Sequence, residues 1–162
     1  MINEMIDIDF PGLSPESAFQ VLLQFSGCAK AVERSTCIDK EMDWHDVITT
    51  FLTMKLYRPL LTVHLRDVRI STIHFSHMLI MAEEEEAGTC AIEASFTIND
   101  VPRTQWPLLV GAIQDFATRT ALAVNTGIYY AGIEPGHDSS TRLFTGSTTG
   151  PVTIDVDVVH FF

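Results

Sequence analysis

Basic side chains are scarce in this chain: 10 Lys plus Arg stand against 21 Asp plus Glu in 162 residues, for a formal charge of −11. A surface of that sign repels phosphate backbones, which argues against DNA or RNA as the main partner and favours a basic protein. Cysteine is sparse too. Cys28, Cys37 and Cys90 are odd in number and far apart, which fits reduced packing thiols and not a disulfide framework. No apolar run approaches the roughly 20 residues that cross a bilayer. Met1 to Phe10 holds Glu4, Asp7 and Asp9 but no Lys or Arg, unlike a secretory leader. The expectation is a soluble, cytoplasmic chain that contacts no membrane. The 9 Gly and 7 Pro are scattered, so collagen-like and low-complexity chains are excluded.

What is present suffices for a core. The chain is 46% hydrophobic, and at this length a compact fold buries roughly 70% of the surface of the extended chain. Residues 1–162 read as a single α+β domain. Ser14-Pro15-Glu16 is a helix start, with a capping hydroxyl, a proline suited to the first turn and an acid at the positive helix end. Helical spacing of Ala18, Val21, Leu22, Phe25, Cys28, Ala29 and Val32 extends this helix to near Arg34. A second helix is predicted from Asp43 to before Pro59, with Val47, Ile48, Phe51 and Leu52 on one face, although Thr49, Thr50, Phe51 and Thr53 also suit a strand.

From Leu60 the period becomes two. Leu61, Val63, Leu65, Val68 and Ile70 alternate with polar residues, Ile73 to Met81 continues the pattern, and Cys90, Ile92, Ala94, Phe96 and Ile98 repeat it. The short connection through Gly88 demands an antiparallel hairpin. Thr104 is placed to cap a helix from Gln105 to Val124, which Asn125-Thr126-Gly127 ends. A short strand follows over Ile128 to Ile133. Glu134 to Pro151 reads as loop, and a last strand carries Val152, Ile154, Val156 and Val158. The economical arrangement is a two-layer α+β sandwich, a mainly antiparallel sheet of five or six strands with about three helices on one side.

Chemical motifs are few. His74 and His77 point to opposite faces if they lie on a strand, and no Cys-x-x-Cys or His-Glu-x-x-His pattern supports a metal. Asp7 with Asp9, and Asp155 with Asp157, share strand faces and would hold a divalent cation or form an acid-base pair, or else make a solvated outer face. No Gly-x-Ser-x-Gly is present, and Gly146 to Gly150 lacks the Lys-Ser/Thr ending of a phosphate loop and reads as a hairpin or surface turn. No cofactor or catalytic residue is assigned.

Two features stand out. Glu83, Glu84, Glu85 and Glu86 crowd four carboxylates at a hairpin tip, where they repel one another. They serve either as a solubilising turn and edge guard or as a docking patch for Lys and Arg. The segment Tyr129 to Thr145, with Tyr129 and Tyr130 beside Glu134 and Asp138 and with Thr141-Arg142-Leu143-Phe144-Thr145 beyond, combines aromatic area with steering charge, the makings of a protein-recognition surface in which one Tyr packs inward or both face a partner.

On these features, and on its size and charge, the chain resembles the bacterial immunity proteins that neutralise polymorphic or contact-delivered toxins. The resemblance implies an inhibitor that binds a basic toxin domain and blocks its active site. Glu83, Glu84, Glu85, Glu86, Tyr129, Tyr130, Glu134 and Asp138 are the candidate partner-binding residues, and Trp106 is a further anchor. Two alternatives stay open. One is a small enzyme with a pocket between sheet and helix, using His137, Asp138 or the pair Asp155 and Asp157. The other is a homo-oligomer, such as a homodimer, joined through the apolar tail Val158 to Phe162.

Overall fold

A computed structural model describes residues 4–37, 40–46, 61–85, 88–133, 139–154 and 159–161. Strand β1 (Met5–Leu13) turns Ile6, Ile8 and Phe10 inward, and a bulge between Phe10 and Leu13 holds Gly12 at φ +66°. Helix α1 (Pro15–Gly27) begins as the sequence predicts, with Ser14 Oγ accepting the Ser17 N–H at 3.1 Å. It ends earlier than predicted. Gly27 is its last residue, and Ala29–Cys37 forms strand β2 where a helix to Arg34 was expected. The reason is a non-local partner: the Cys28 carbonyl accepts the Arg69 N–H at 2.9 Å, and Ala29 to Cys37 then pairs along Val68 to Leu61. Apolar spacing that suited a helix is overridden by a ladder the local sequence does not display.

Strand β3 (Lys40–Met42) pairs with β2. Residues 44–46 are helical and Asp43 Oδ1 accepts the Asp46 N–H at 2.8 Å, as a helix opening at Asp43 requires; the rest of that predicted helix lies outside the described residues. The alternating segments become β4 (Leu61–Ile70), β5 (Ile73–Glu84) and β6 (Cys90–Thr97). Helix α2 (Trp106–Ala123) follows. Thr104 does not cap it. Thr104 sits in a 3-10 turn, and Gln105 takes the capping position while its side chain accepts the His74 N–H (2.9 Å) and donates to the Thr72 carbonyl (3.0 Å). The helix start is thereby tied to the β4–β5 turn. Asn125, at φ +55°, stands just past the helix end.

Beyond α2 lie β7 (Tyr130–Ile133), β8 (Arg142–Thr145) and β9 (Thr148–Thr149), so part of the segment expected as loop is strand. The Gly146 to Gly150 stretch is the β8–β9 hairpin. A Cβ on Gly150 would lie 2.1 Å from the Arg142 carbonyl oxygen, so only glycine permits this approach. β10 (Val152–Ile154) and β11 (Val159–Phe161) pair as a separate two-stranded sheet.

The main sheet runs β3-β2-β4-β5-β6-β1-β7-β8-β9, and every pairing is antiparallel. Helices α1 and α2 lie side by side on one face. The Phe25 ring meets Phe10 of the sheet at 6.2 Å and Phe116 of α2 at 4.9 Å, and all three rings belong to one core. The architecture is the expected α+β class with a mainly antiparallel sheet. It has more strands than expected because the added ones are short or were masked by helical spacing.

Candidate functional site on the outer face of the sheet

The face turned away from α1 and α2 is called the outer face. On β1 the core residues Ile6, Ile8 and Phe10 alternate with Asp7 and Asp9, which therefore project outward. The strand's neighbours complete the site. Asp9 lies opposite Glu93 of β6 and opposite Tyr130 of β7, while Asp7 lies opposite Ser95 and Gly132. Three carboxylates are thus gathered on two adjacent strands.

Asp7 is only 3% exposed. Ser95 Oγ lies 2.9 Å from Asp7 Oδ1 and 3.2 Å from Glu93 Oε1, and its single proton serves one carboxylate at a time. Burial, followed by the charges of Glu93 and Asp7, pushes the Asp9 carboxyl up to about 8, with a hydrogen bond to Glu93 adding to the shift and Arg142 opposing it. Tyr130 is pushed up as well, by burial first and the Asp9 charge second. The Arg142 guanidinium sits 4.1 Å from the centre of the Tyr130 ring and donates to Thr145 Oγ1 at 3.1 Å. Among the described residues no group of three or more His, Cys, Asp or Glu side chains is arranged to hold a metal ion. This cluster can hold a proton and attract cationic side chains.

The predicted glutamate run divides. Glu83 lies opposite Ala91, two residues along β6 from Glu93, and so shares the outer face. Glu84 lies opposite Cys90, on the other side. Glu85 turns back so that its Oε2 accepts the Gly12 N–H at 2.8 Å, which pins the hairpin to the bulge in β1. Glu86 lies outside the described residues. A run of like charges is therefore not a single patch, because β alternation sends neighbours to opposite faces.

The tyrosines divide in the same way. Tyr129 is 9% exposed, stacks on Phe10 at 6.2 Å, and its hydroxyl lies 2.8 Å from Thr118 Oγ1. Its contacts are internal. Tyr130 lies half-buried in the outer face beside Asp9. Trp106 is buried, and its indole N–H donates to the Val101 carbonyl at 3.1 Å, so it anchors a helix end. Glu134, His137 and Asp138, and likewise Asp155 and Asp157, lie outside the described residues. His74 pairs with Asp67 at 3.2 Å, and His77 sits 3.9 Å from Glu33 and 4.0 Å from Asp100.

The shared face of Asp7 and Asp9 and the segment containing Arg142 are legible in the sequence, but the role of Glu93 is not. Glu93 alternates with Ile92 and Ala94 like any outward residue. Only the pairing of β1 with β6 reveals its importance.

The family model described as PABL017 Cdi1I immunity protein matches residues 4–149. The chain belongs to this family of immunity proteins. The class-level resemblance read from the sequence is thereby borne out, and the immunity protein's function is to neutralise a toxin. A solved structure described as the toxic C-terminal tip of CdiA from Pseudomonas aeruginosa in complex with immune protein contains a chain of the same fold. Its TM-score is 0.77 at 16% identity, over 93% of this immunity protein and 99% of that chain. Among curated proteins no match is found.

Proposed function

We propose that this immunity protein neutralises its toxin as a non-catalytic inhibitor, docking a basic toxin domain on the acidic outer face and covering the toxin's active site. The observation that carries this reading is the convergence of Glu83 and Tyr130 on the face that holds Asp7, Asp9 and Glu93. Glu83 on β5 and Tyr130 on β7 are separated by β6 and β1, three strand spacings or about 14 Å. That span suits the charged centre of a protein interface. Acidic side chains there would stand in for the negative groups of the toxin's substrate, with Tyr130 as aromatic contact area. Glu85, together with Glu86, Glu134 and Asp138, which lie outside the described residues, is proposed as a further partner contact, whereas Glu84 and Tyr129 face the other side of the sheet and are not part of this surface. The free thiols of Cys28 and Cys90 suit a reducing compartment, and the proposed place of action is the cytoplasm. Among the described residues no helix is long and apolar enough to cross a membrane.

The test is kinetic. The cognate toxin domain is mixed with the purified protein, and the association rate is measured from low to high salt. Steering by the acidic face predicts a fall of about tenfold or more. A rate that ignores salt, or a stable complex that leaves the toxin active, would overturn the reading.

A further inference from the structure

We propose that Arg142 is a positioning residue of the docking face: stacked on Tyr130, its guanidinium holds that ring in the orientation the toxin meets, and it supports neutralisation through the ring and not through its own charge. The binding half of this statement rests on the function proposed above; the holding of the ring does not.

Strand alternation by itself sends Arg142 to the other face. Residues three apart on a regular strand point to opposite sides, and Thr145, opposite Tyr130 on the ladder, belongs to the outer face. Arg142 reaches that face because β8 carries one extra residue. Tyr130 pairs with Thr145 and Ala131 with Phe144, but Gly132 pairs with Arg142, so Leu143 is left over, and Leu143 and Phe144 are both buried. A bulge of this kind re-aims the side chain beside it. Two glycines accommodate it. Gly150 donates its N–H to the Leu143 carbonyl at 2.8 Å and lies too close to the Arg142 carbonyl for any larger residue. Gly132, opposite Arg142, places no side chain between the guanidinium and Tyr130, its diagonal neighbour on β7.

The result is a held ring. The guanidinium lies 4.1 Å from the centre of the Tyr130 ring, and Arg142 Nη1 donates to Thr145 Oγ1 at 3.1 Å, so the cation is itself fixed at a second point. An aromatic side chain already fixed in place loses little entropy on binding, which is why such rings carry much of the affinity of protein interfaces. The charge of Arg142 works the other way. On a face with Asp7, Glu83 and Glu93 it is a local cation that repels the basic partner those carboxylates attract. The two roles therefore leave opposite signatures: loss of the charge speeds association, and loss of the stack speeds dissociation.

The test combines binding kinetics on the cognate toxin domain with NMR of the free protein. R142K keeps the charge without the planar guanidinium. It is expected to dissociate from the toxin about three- to tenfold faster, with association within about twofold of the parent. R142Q should dissociate as fast as R142K and associate faster than the parent at low salt. In Y130A, which has no ring to hold, R142K should add nothing. Parental dissociation rates in both Arg142 variants overturn the proposal, and so does an R142K effect that persists in Y130A, since Arg142 would then grip the toxin itself. T145V leaves Arg142 in place and removes only its second attachment; dissociation faster by about twofold is expected, and an unaltered rate counts against positioning. In the free protein the Tyr130 ring signals should shift in R142K, and unaltered signals overturn the held ring whether or not toxin binds. A parent association rate that ignores salt overturns docking on the acidic face and with it the binding half, while the ring signals still decide the stack.

Discussion

Tyr129 and Tyr130 are adjacent in the chain and serve opposite faces of one sheet. The first is stacked on Phe10 beneath the helices, with its hydroxyl on Thr118. The second lies beside Asp9 under the Arg142 guanidinium. The inner face is a continuous aromatic and aliphatic core, whereas the outer face gathers carboxylates that repel one another. The difference teaches that stability and the proposed docking surface are allotted to separate sides of the sheet. The inner side holds the fold well enough for the outer side to carry unfavourable charge.

The largest effect that would sharpen this contrast is on the inner face. Phe25 is fully buried between Phe10 and Phe116, and F25A is expected to destabilise the protein by about 3–5 kcal/mol in urea unfolding. A loss near zero would mean that α1 is not part of the cooperative core.

On the outer face the sign should reverse. The Asp9 carboxyl lies at about 8 in the folded chain, above its ordinary value of 3.8, so the folded state holds more protons than the unfolded state between these limits. The contribution of Asp9 to stability is therefore complete below about pH 4 and is lost as pH rises through 8. D9N, which stays neutral, is expected to be more stable than the parent at pH 8.5 by about 1–3 kcal/mol and nearly equal to it at pH 4. Equal stability at both values would break the comparison.

A smaller difference separates the tyrosines. Y129F removes the contact with Thr118 and should cost about 1 kcal/mol, with toxin association unaltered. Y130A forfeits the Arg142 contact, worth about 0.5–1 kcal/mol, and should also weaken toxin binding. Reversed binding effects would assign the contact surface to the wrong tyrosine. The smallest change in stability is expected for E83Q, within about 0.5 kcal/mol of the parent. Its signature is a slower association with the toxin domain at low salt, and an unaltered rate would remove Glu83 from the docking face.

Local signals made much of the fold legible. The start of α1 at Ser14-Pro15, the opening of a helix at Asp43, the extent of α2 and the alternating runs of β4, β5 and β6 all follow from capping chemistry or period-two patterning. The failures share one cause. β2 resembled a helix because Cys28, Ala29 and Val32 continue the apolar spacing of α1, and its pairing with β4 is not written in its own residues. β8 and β9 are too short for alternation to register. For the site, the glutamate run and the tyrosine pair drew notice as sequence, yet each is divided by the sheet. Glu93 drew none, because it is an ordinary polar residue until its cross-strand neighbour is known.

The sequence by itself determined the acidic excess, the α+β class and which side of each clear strand is apolar, since these depend on composition and on contacts a few residues apart. Only the tertiary structure decided that β1 lies between β6 and β7, and hence that Asp9 faces both Glu93 and Tyr130. Strand order in an antiparallel sheet is set by pairings between distant segments, and a side chain's electrostatic surroundings follow from that order and from burial, neither of which a local pattern encodes.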